Sequence, residues 1–487
     1  MKRQVALRCI AALLLVTILC GAGPVWAQNP HPIPAASLAE QVERFQHQLQ
    51  ESGYVWQSGS QGTLDGNRGY CQGGLFSAMW ANPQSPYIVS QLPEVKGQAP
   101  GIASPLTWRL RQDEAVVLIG MTPPPVAYFS FDLWMIKGSL ADGPVLIVST
   151  GDPINPGTIR ATGPTSFDRP FALVVTGNRR TQAEVNKMLA ASGLRGETNN
   201  VTIPAALFRL GLDQGSDEFL MPTRSAVPQP GFEKALDDYR AHPPLQVFRV
   251  RPKGNTADET QPVYPADPLP VPKLRVSGTG ATELDLNPTL QLLRQRIIDS
   301  YPGYEAHDVP LARGFEEPYP GLQLNLVTKP PSGGTGGYTN DATYLLSPNF
   351  HLPDGSFIIA YGANHVVTGK AAYTSASVYA DPGAAVHLES KAHTELQGSA
   401  RDFIGDQPNA DEFYAWTFTR AASGPQGPHV TTLPPTSTVY CAQYGTTTPV
   451  DMGTVTVLTR IYMEPETKTR PALSELLLDR VLLFTPK

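Results

Sequence analysis

The sequence predicts an α+β protein, β-rich, with mostly antiparallel sheets and a few covering helices. Three observations carry that expectation. Forty-eight prolines and 43 glycines divide the chain, and charged residues make up only 16% of it, a composition unlike that of a helical bundle. Short runs rich in Val, Ile, Phe and Tyr recur between turn residues. Only four longer stretches have apolar residues at helical spacing.

In chain order, "MKRQVALR", the apolar "CIAALLLVTILCGAG" and "VWA" read as a secretory leader, residues 1–27, cut after Ala27. The large Leu19 before Cys20 argues against a lipid anchor there. Without the leader, 34 basic residues face 43 acidic ones, and the formal charge moves from −6 to −9. An acidic chain with no basic stripe excludes nucleic acid as the expected partner, and no later segment has the apolar length of a membrane span. The expected location is periplasmic or secreted. There the two remaining cysteines, Cys71 and Cys441, most simply form one disulfide; two buried free thiols are the alternative.

"SLAEQVERFQHQLQESG" (37–53) is the first helix, with a Ser cap. Strands follow at 114–125, 126–136 and 143–151, and "RPFALVVTGN" is another. "TQAEVNKMLAASG" (181–193) is a helix, with Thr181 read as its cap and Gly193 as its stop. A short helix at 230–244 precedes the strand "LQVFRVRP". Residues 252–273, rich in proline and without periodicity, read as an extended linker. It separates an N-terminal α+β domain (28–251) from a C-terminal β-rich domain (274–487). The latter opens with the helix "NPTLQLLRQRIIDSYPG" (287–303), and the strands "ATYLLSP", "SFIIAYG" and "AAYTSASVY" come after it. One echo suggests duplication: "PVLIVSTGDPINPGT" (144–158) and "SFIIAYGANHVVTGK" (356–370) share the order apolar strand, Gly, polar loop.

The chain lacks G-x-S-x-G, H-E-x-x-H, Walker and C-x-x-C signatures, and its histidines lack metal-ligand spacing. No cofactor and no metal are therefore expected. The densest polar stretch is "YGANHVVTGK". His365 can accept a proton near neutral pH, Tyr361 or Lys370 can return one, and Asn364 can hold an oxyanion. The competing reading is a plain turn with Lys370 in solvent. Asp152 and Asn155 in "STGDPINPGT" are standard turn residues, but they gain interest if the two loops meet and Asp152 orients His365. Asn340 and Asp341 lie upstream of the same strands, and Tyr128, Trp134 and Tyr373 supply an aromatic ligand platform.

The stretches "AYFSFDLWMI", "GDPINPGTI", "DATYLLSP", "YGANHVVTGKAAYTSASVY" and "TRIYMEPETKTRPALSELLLDR" resemble a family of uncharacterised exported proteins of bacteria and fungi. "YFSFDLW" with "DPIN" is similar to a β-rich bacterial domain of unknown function. The resemblance implies a large exported β-rich protein and transfers no catalytic residue. The leading expectation is a cofactor-independent enzyme of hydrolase, lyase or isomerase type. It would use His365, Tyr361, Asn364, Lys370 and Asp152 on a small or oligomeric organic substrate. The alternatives are a non-catalytic ligand-binding protein and a structural envelope protein.

Overall fold

The computed structural model describes residues 35–75, 77–137, 146–254, 258–313, 336–380, 385–420 and 424–487. The leader, with Cys9 and Cys20, lies outside them. Strands hold 33% of the residues against 20% for helices, so the chain is an α+β, β-rich protein.

The first helix is α1 (Ala35–Glu51), and eleven strands follow before residue 253. They are β1 (Tyr54–Ser58), β2 (Ser60–Leu64), β3 (Tyr87–Gln91), β4 (Ala115–Met121), β5 (Val126–Phe131), β6 (Trp134–Lys137), β7 (Leu146–Ser149), β8 (Pro170–Thr176), β9 (Thr198–Thr202), β10 (Glu218–Pro228) and β11 (Leu245–Pro252). Between them lie α2 (Gly66–Cys71), α3 (Arg179–Ala191) and α4 (Glu233–Ala241). Beyond residue 253 come α5 (Asn287–Asp299), β12 (Tyr304–Val309), β13 (Ala312–Arg313), β14 (Gly336–Tyr338), β15 (Ala342–Leu346), β16 (Phe350–His351), β17 (Phe357–Ala363), β18 (Tyr373–Ala380) and β19 (Val386–Ala392). The chain ends with α6 (His393–Leu396), α7 (Arg401–Ile404), β20 (Phe413–Thr419), β21 (Val430–Thr432), β22 (Thr454–Tyr462) and β23 (Arg480–Pro486). The cap of α3 is Asn178, whose side chain accepts the Thr181 N–H, so the cap lies three residues earlier than the Thr181 reading placed it.

The two strand sets have one topology. Sheet I runs β1-β11-β4-β8-β9 and sheet III runs β12-β23-β17-β20-β21. In both, every pair is antiparallel except the last, which is parallel. In sheet II, β10 lies between β3 and a broken strand made of β5 and β6, with β2 and β7 flanking. Sheet IV repeats this, with β22 between β15 and β18, flanked by β13 and β19. Residue identities follow the pairing. Tyr54 faces Pro252 as Tyr304 faces Pro486. Arg224 faces Ser130 as Arg460 faces Ser375. Val227 and Met463, each three residues past its arginine, both carry positive φ, at 54° and 48°. The molecule is an internal duplication. The echo between 144–158 and 356–370 is out of register, because β17 answers to β4 and not to β7.

Strand alternation builds six layers. Val117, Ile119 and Val174 of sheet I pack under Phe45, Val185 and Leu189 of α1 and α3. Val116, Leu118 and Leu173 pack on Phe129, Met135 and Met221 of sheet II. In the second half, α5 and α7 cover Phe357, Ile359 and Phe484, while Ile358, Ala360 and Trp416 meet Ala376, Val378 and Val457 of sheet IV. The remaining faces of sheets II and IV close on each other through Tyr128, Ala226, Tyr344, Tyr373, Tyr379 and Tyr462. Each fully buried aliphatic or aromatic side chain contributes about 1.5–3 kcal/mol, so these cores carry the fold. The disulfide Cys71–Cys441 links α2 to the second half across 370 residues.

Candidate functional site

The inner faces of sheets II and IV carry a buried polar network. Arg224, on β10, is fully buried. Its Nε donates to Ser130 Oγ at 2.8 Å, and its Nη2 reaches Thr339 Oγ1 at 3.2 Å, Asp132 Oδ2 at 3.3 Å and Asp341 Oδ1 at 3.5 Å. The rings of Tyr462, Trp134 and Tyr128 surround the guanidinium, 5.5–5.9 Å from its carbon. Tyr128 donates to Asp341 Oδ2 at 2.7 Å and its ring stacks on Tyr373 at 6.4 Å. Thr339 Oγ1 lies 2.8 Å from Asp132 and 3.1 Å from Asp341, and its single proton can serve only one of them. Burial pushes the Asp132 carboxyl up, against the lowering pull of Arg224.

The halves exchange these contacts. The segment before β15 supplies Asp341 to Tyr128, and the segment before β3 supplies Asn82, whose Nδ2 donates to Tyr373 at 3.2 Å. Likewise β14 pairs with β7, and the Ala78 N–H donates to Ala385 O beside β19.

A second station holds the loops. Asn340 Nδ2 and the Arg275 N–H both donate to Asp152, the latter at 2.8 Å. Asn155 Nδ2 donates to Lys468 O at 2.9 Å and lies 3.5 Å from Asp341. The third station is the "YGANHVVTGK" loop after β17. Lys370 Nζ is bound by Glu475 at 2.6 Å, Glu464 at 2.9 Å and Thr279 at 3.0 Å. Lys370 is 5% exposed, so it is buried and not solvated. Burial opposes its charge, yet the two carboxylates hold its pKa above the usual lysine value. Lys370 in turn helps hold Glu475 down at about 2, against its own desolvation.

His365, 1% exposed, places Nδ1 at 2.9 Å from both oxygens of Glu283 and Nε2 at 3.6 Å from Asp479. Burial alone would push the imidazole down. The charges of Glu283 and Asp479 overcome it and raise it to about 10. Glu283 also accepts from Thr368 Oγ1 and from the Leu477 N–H, and its carboxyl is held below the usual range although burial opposes this. Asn364 is tied down by the Glu412 and His393 carbonyls. Tyr361 points the other way, into the α5 side of sheet III, where burial pushes its phenol up to about 12.

The structure therefore gathers Tyr128, Trp134, Tyr373, Asn155, Asn340, Asp341 and Asp152 at or beside the inter-half network. It gives His365 the carboxylates Glu283 and Asp479, while Asp152 engages Asn340 and Arg275. Sequence reading did not single out Arg224, Asp132, Thr339, Glu283, Glu475 or Asp479. The signal for Arg224 was the echo of "TRSAV" (223–227) in "TRIYM" (459–463). Open cavities lie elsewhere among the described residues. One of about 550 Å³ is lined by Asn178, Leu207, Phe208 and Pro268, and another of about 630 Å³ by Cys71–Gly73 and Gly445–Pro449. Among the described residues no group of three or more His, Cys, Asp or Glu side chains is placed to hold a metal ion, and no helix is long and apolar enough to cross a membrane. No family model matches the chain, and a search of curated proteins finds no match.

Proposed function

We propose that this chain is a non-catalytic exported binding or structural protein whose polar interior locks two duplicated halves together. The observation that carries the reading is the state of its acid–base groups. His365 holds its proton between two carboxylates, Lys370 is saturated by two more, and both are buried. A general base must be able to give and take a proton near the working pH, and a histidine raised to about 10 does neither readily. Export rests on the leader at 1–27, and the disulfide fits an oxidising compartment. The test is a screen of the purified chain against esters, glycosides and hydroxy acids, read by mass spectrometry. No turnover sensitive to His365→Gln is expected. A substrate whose consumption falls sharply in that variant, with the fold intact, would overturn the reading.

A second reading keeps acid–base chemistry but moves it to Asp132 and Asp341. It is favoured by two carboxyls that share one hydroxyl while burial raises Asp132. Under that reading Asp132→Asn abolishes turnover of an identified substrate and His365→Gln does not.

A further inference from the structure

Strands β8 and β9 are parallel and joined through α3, and the cavity of about 550 Å³ lies beyond the carboxyl ends of both. Ligands of βαβ units commonly sit at that end, and a cavity of this volume suits a small organic molecule. Its walls are Gly177 and Asn178 after β8, residues 205–210 after β9, and residues 266–268. The last wall is held in place by three hydrogen bonds. The Leu269 N–H donates to Gly177 O at 3.0 Å, the Arg179 N–H to Asp267 O at 2.8 Å, and Asn178 Nδ2 to Pro265 O at 3.3 Å.

The second half shows what the same place looks like when it is tied shut. Ala115 faces Thr176 as Phe357 faces Thr419, and the Ile203 N–H donates to Thr176 O as the Leu433 N–H does to Thr419 O. Counted from these anchors, the wall residues Gln112, Gly177 and Ala206 correspond to Asp354, Arg420 and Thr436. Thr436 donates to Asp354 twice, from its N–H at 3.0 Å and from Oγ1 at 2.7 Å. Arg420 is buried, with Nη1 on Leu352 O at 2.7 Å. In the first half Ala206 offers no hydroxyl to Gln112, and residue 177 has no side chain. A Cβ at Gly177 would lie 2.5 Å from Leu210 Cδ1 and 3.0 Å from Ile203 O, so this wall admits none.

The lining is apolar at Leu207, Phe208, Leu210 and Pro268, while Gln112 and Arg209 stand exposed. Arg209 pairs with Asp213 at 3.3 Å, and the two side chains are 65% and 62% exposed. A pair that open to water contributes little, so an incoming carboxylate can take the guanidinium from Asp213 at small cost. We infer that the cavity binds a small organic acid, its apolar body against Leu207, Phe208 and Pro268 and its carboxylate on Arg209. The site shares no residue with the polar network or the His365 loop. The inference therefore goes beyond the proposed function and holds whether or not that loop is catalytic.

The test titrates the full chain with 4-phenylbutyrate, octanoate and indole-3-acetate, and with the primary amide of each, by ligand-detected NMR. Saturable binding of at least one acid at millimolar concentration is expected. The double variant Gln112→Asp/Ala206→Thr installs the pair found in the second half and should weaken that binding about tenfold or more. Ala206→Trp, which fills the cavity with an apolar ring, should do the same without adding charge. These positions are exposed, so both variants should unfold at the parent's midpoint. Arg209→Gln should weaken the acid about two- to fivefold and leave its amide unchanged, as loss of one exposed ion pair implies. Absence of saturable binding by every acid, binding untouched by Ala206→Trp or by the double variant, or an Arg209→Gln loss shared equally by acid and amide would each overturn the inference.

Discussion

Arg224 and Arg460 occupy equivalent places in the two halves, and their surroundings differ. Arg224 faces Asp132 and Asp341. At the position of Asp132 the second half has Ser377, so Arg460 donates to Ser377 Oγ at 3.0 Å, Tyr379 OH at 2.7 Å and Met79 O at 3.4 Å. Among the described residues it makes no ion pair. The same guanidinium, on the same strand and in the same layer, is held by charge in one half and by hydroxyls in the other. Duplication set the architecture, and the polar partners diverged. Among the described residues, the first half ties its arginine to a carboxylate from the other half and the second half does not.

The largest effect concerns the covalent tie that holds the halves in contact. Cys441→Ser should lower stability by about 6 kcal/mol in the chain-entropy account, read as a fall in denaturant midpoint relative to the oxidised parent. Arg224→Met should cost about 3–5 kcal/mol, because it leaves Asp132 and Asp341 buried without their cation. Arg460→Met should cost about 1–3 kcal/mol, since it removes hydrogen bonds and strands no carboxylate. Equal losses in the two methionine variants would erase the distinction between the halves. Gly120→Ala and Gly362→Ala offer a matched control. A Cβ at Gly120 would lie 2.4 Å from Pro244 O, and one at Gly362 would lie 3.0 Å from the Asp479 Cα. Both should destabilise, by about 1–3 kcal/mol each.

The histidines give a pH signature. The folded pKa of His365 is raised to about 10, so its stabilisation is complete below the unfolded value of 6.5 and is lost as pH rises through 10. Burial lowers His387 to about 3 and His393 to about 4, so their contribution is present above 6.5 and is lost as pH falls towards those values. From the histidines alone, stability should peak near pH 6.5. His365→Gln should flatten the alkaline limb of the unfolding midpoint and leave the acid limb in place.

Much of the fold was legible because strand alternation and helical spacing are local; the caps were not, since Ser37 lies inside α1 and Asn178, not Thr181, caps α3. The helices expected at 37–53 and 287–303 lie at Ala35–Glu51 and Asn287–Asp299. The duplication was harder to place. Apolar strand, Gly and polar loop describe any β-turn, whereas the informative identities, "VAYFS" with "AAYTS" and "TRSAV" with "TRIYM", are separated by loops of unequal length. For the site, the aromatic and Asp/Asn candidates converged as a group because they line neighbouring strands and loops. The partners of His365 could not be read locally, since Glu283 and Asp479 arrive from segments far away in sequence. Residues 252–273 read as a linker because proline content is visible in a sequence, while the contacts of Asp113 with the Val263 and Tyr264 N–H groups and of Arg111 with the Glu259 and Gln261 carbonyls are not.

By the proposed function, the most enzyme-like loop in the chain is an ionic fastener. Nitrogen-15 NMR of histidine-labelled protein at pH 8 tests it most directly, with His365→Gln assigning the signal. The expected result is a His365 ring protonated on both nitrogens and unchanged from pH 6 to pH 8, as a pKa of about 10 requires. A His365 that is neutral at pH 8, titrating between 6 and 7, would contradict the account and return the loop to the list of catalytic sites.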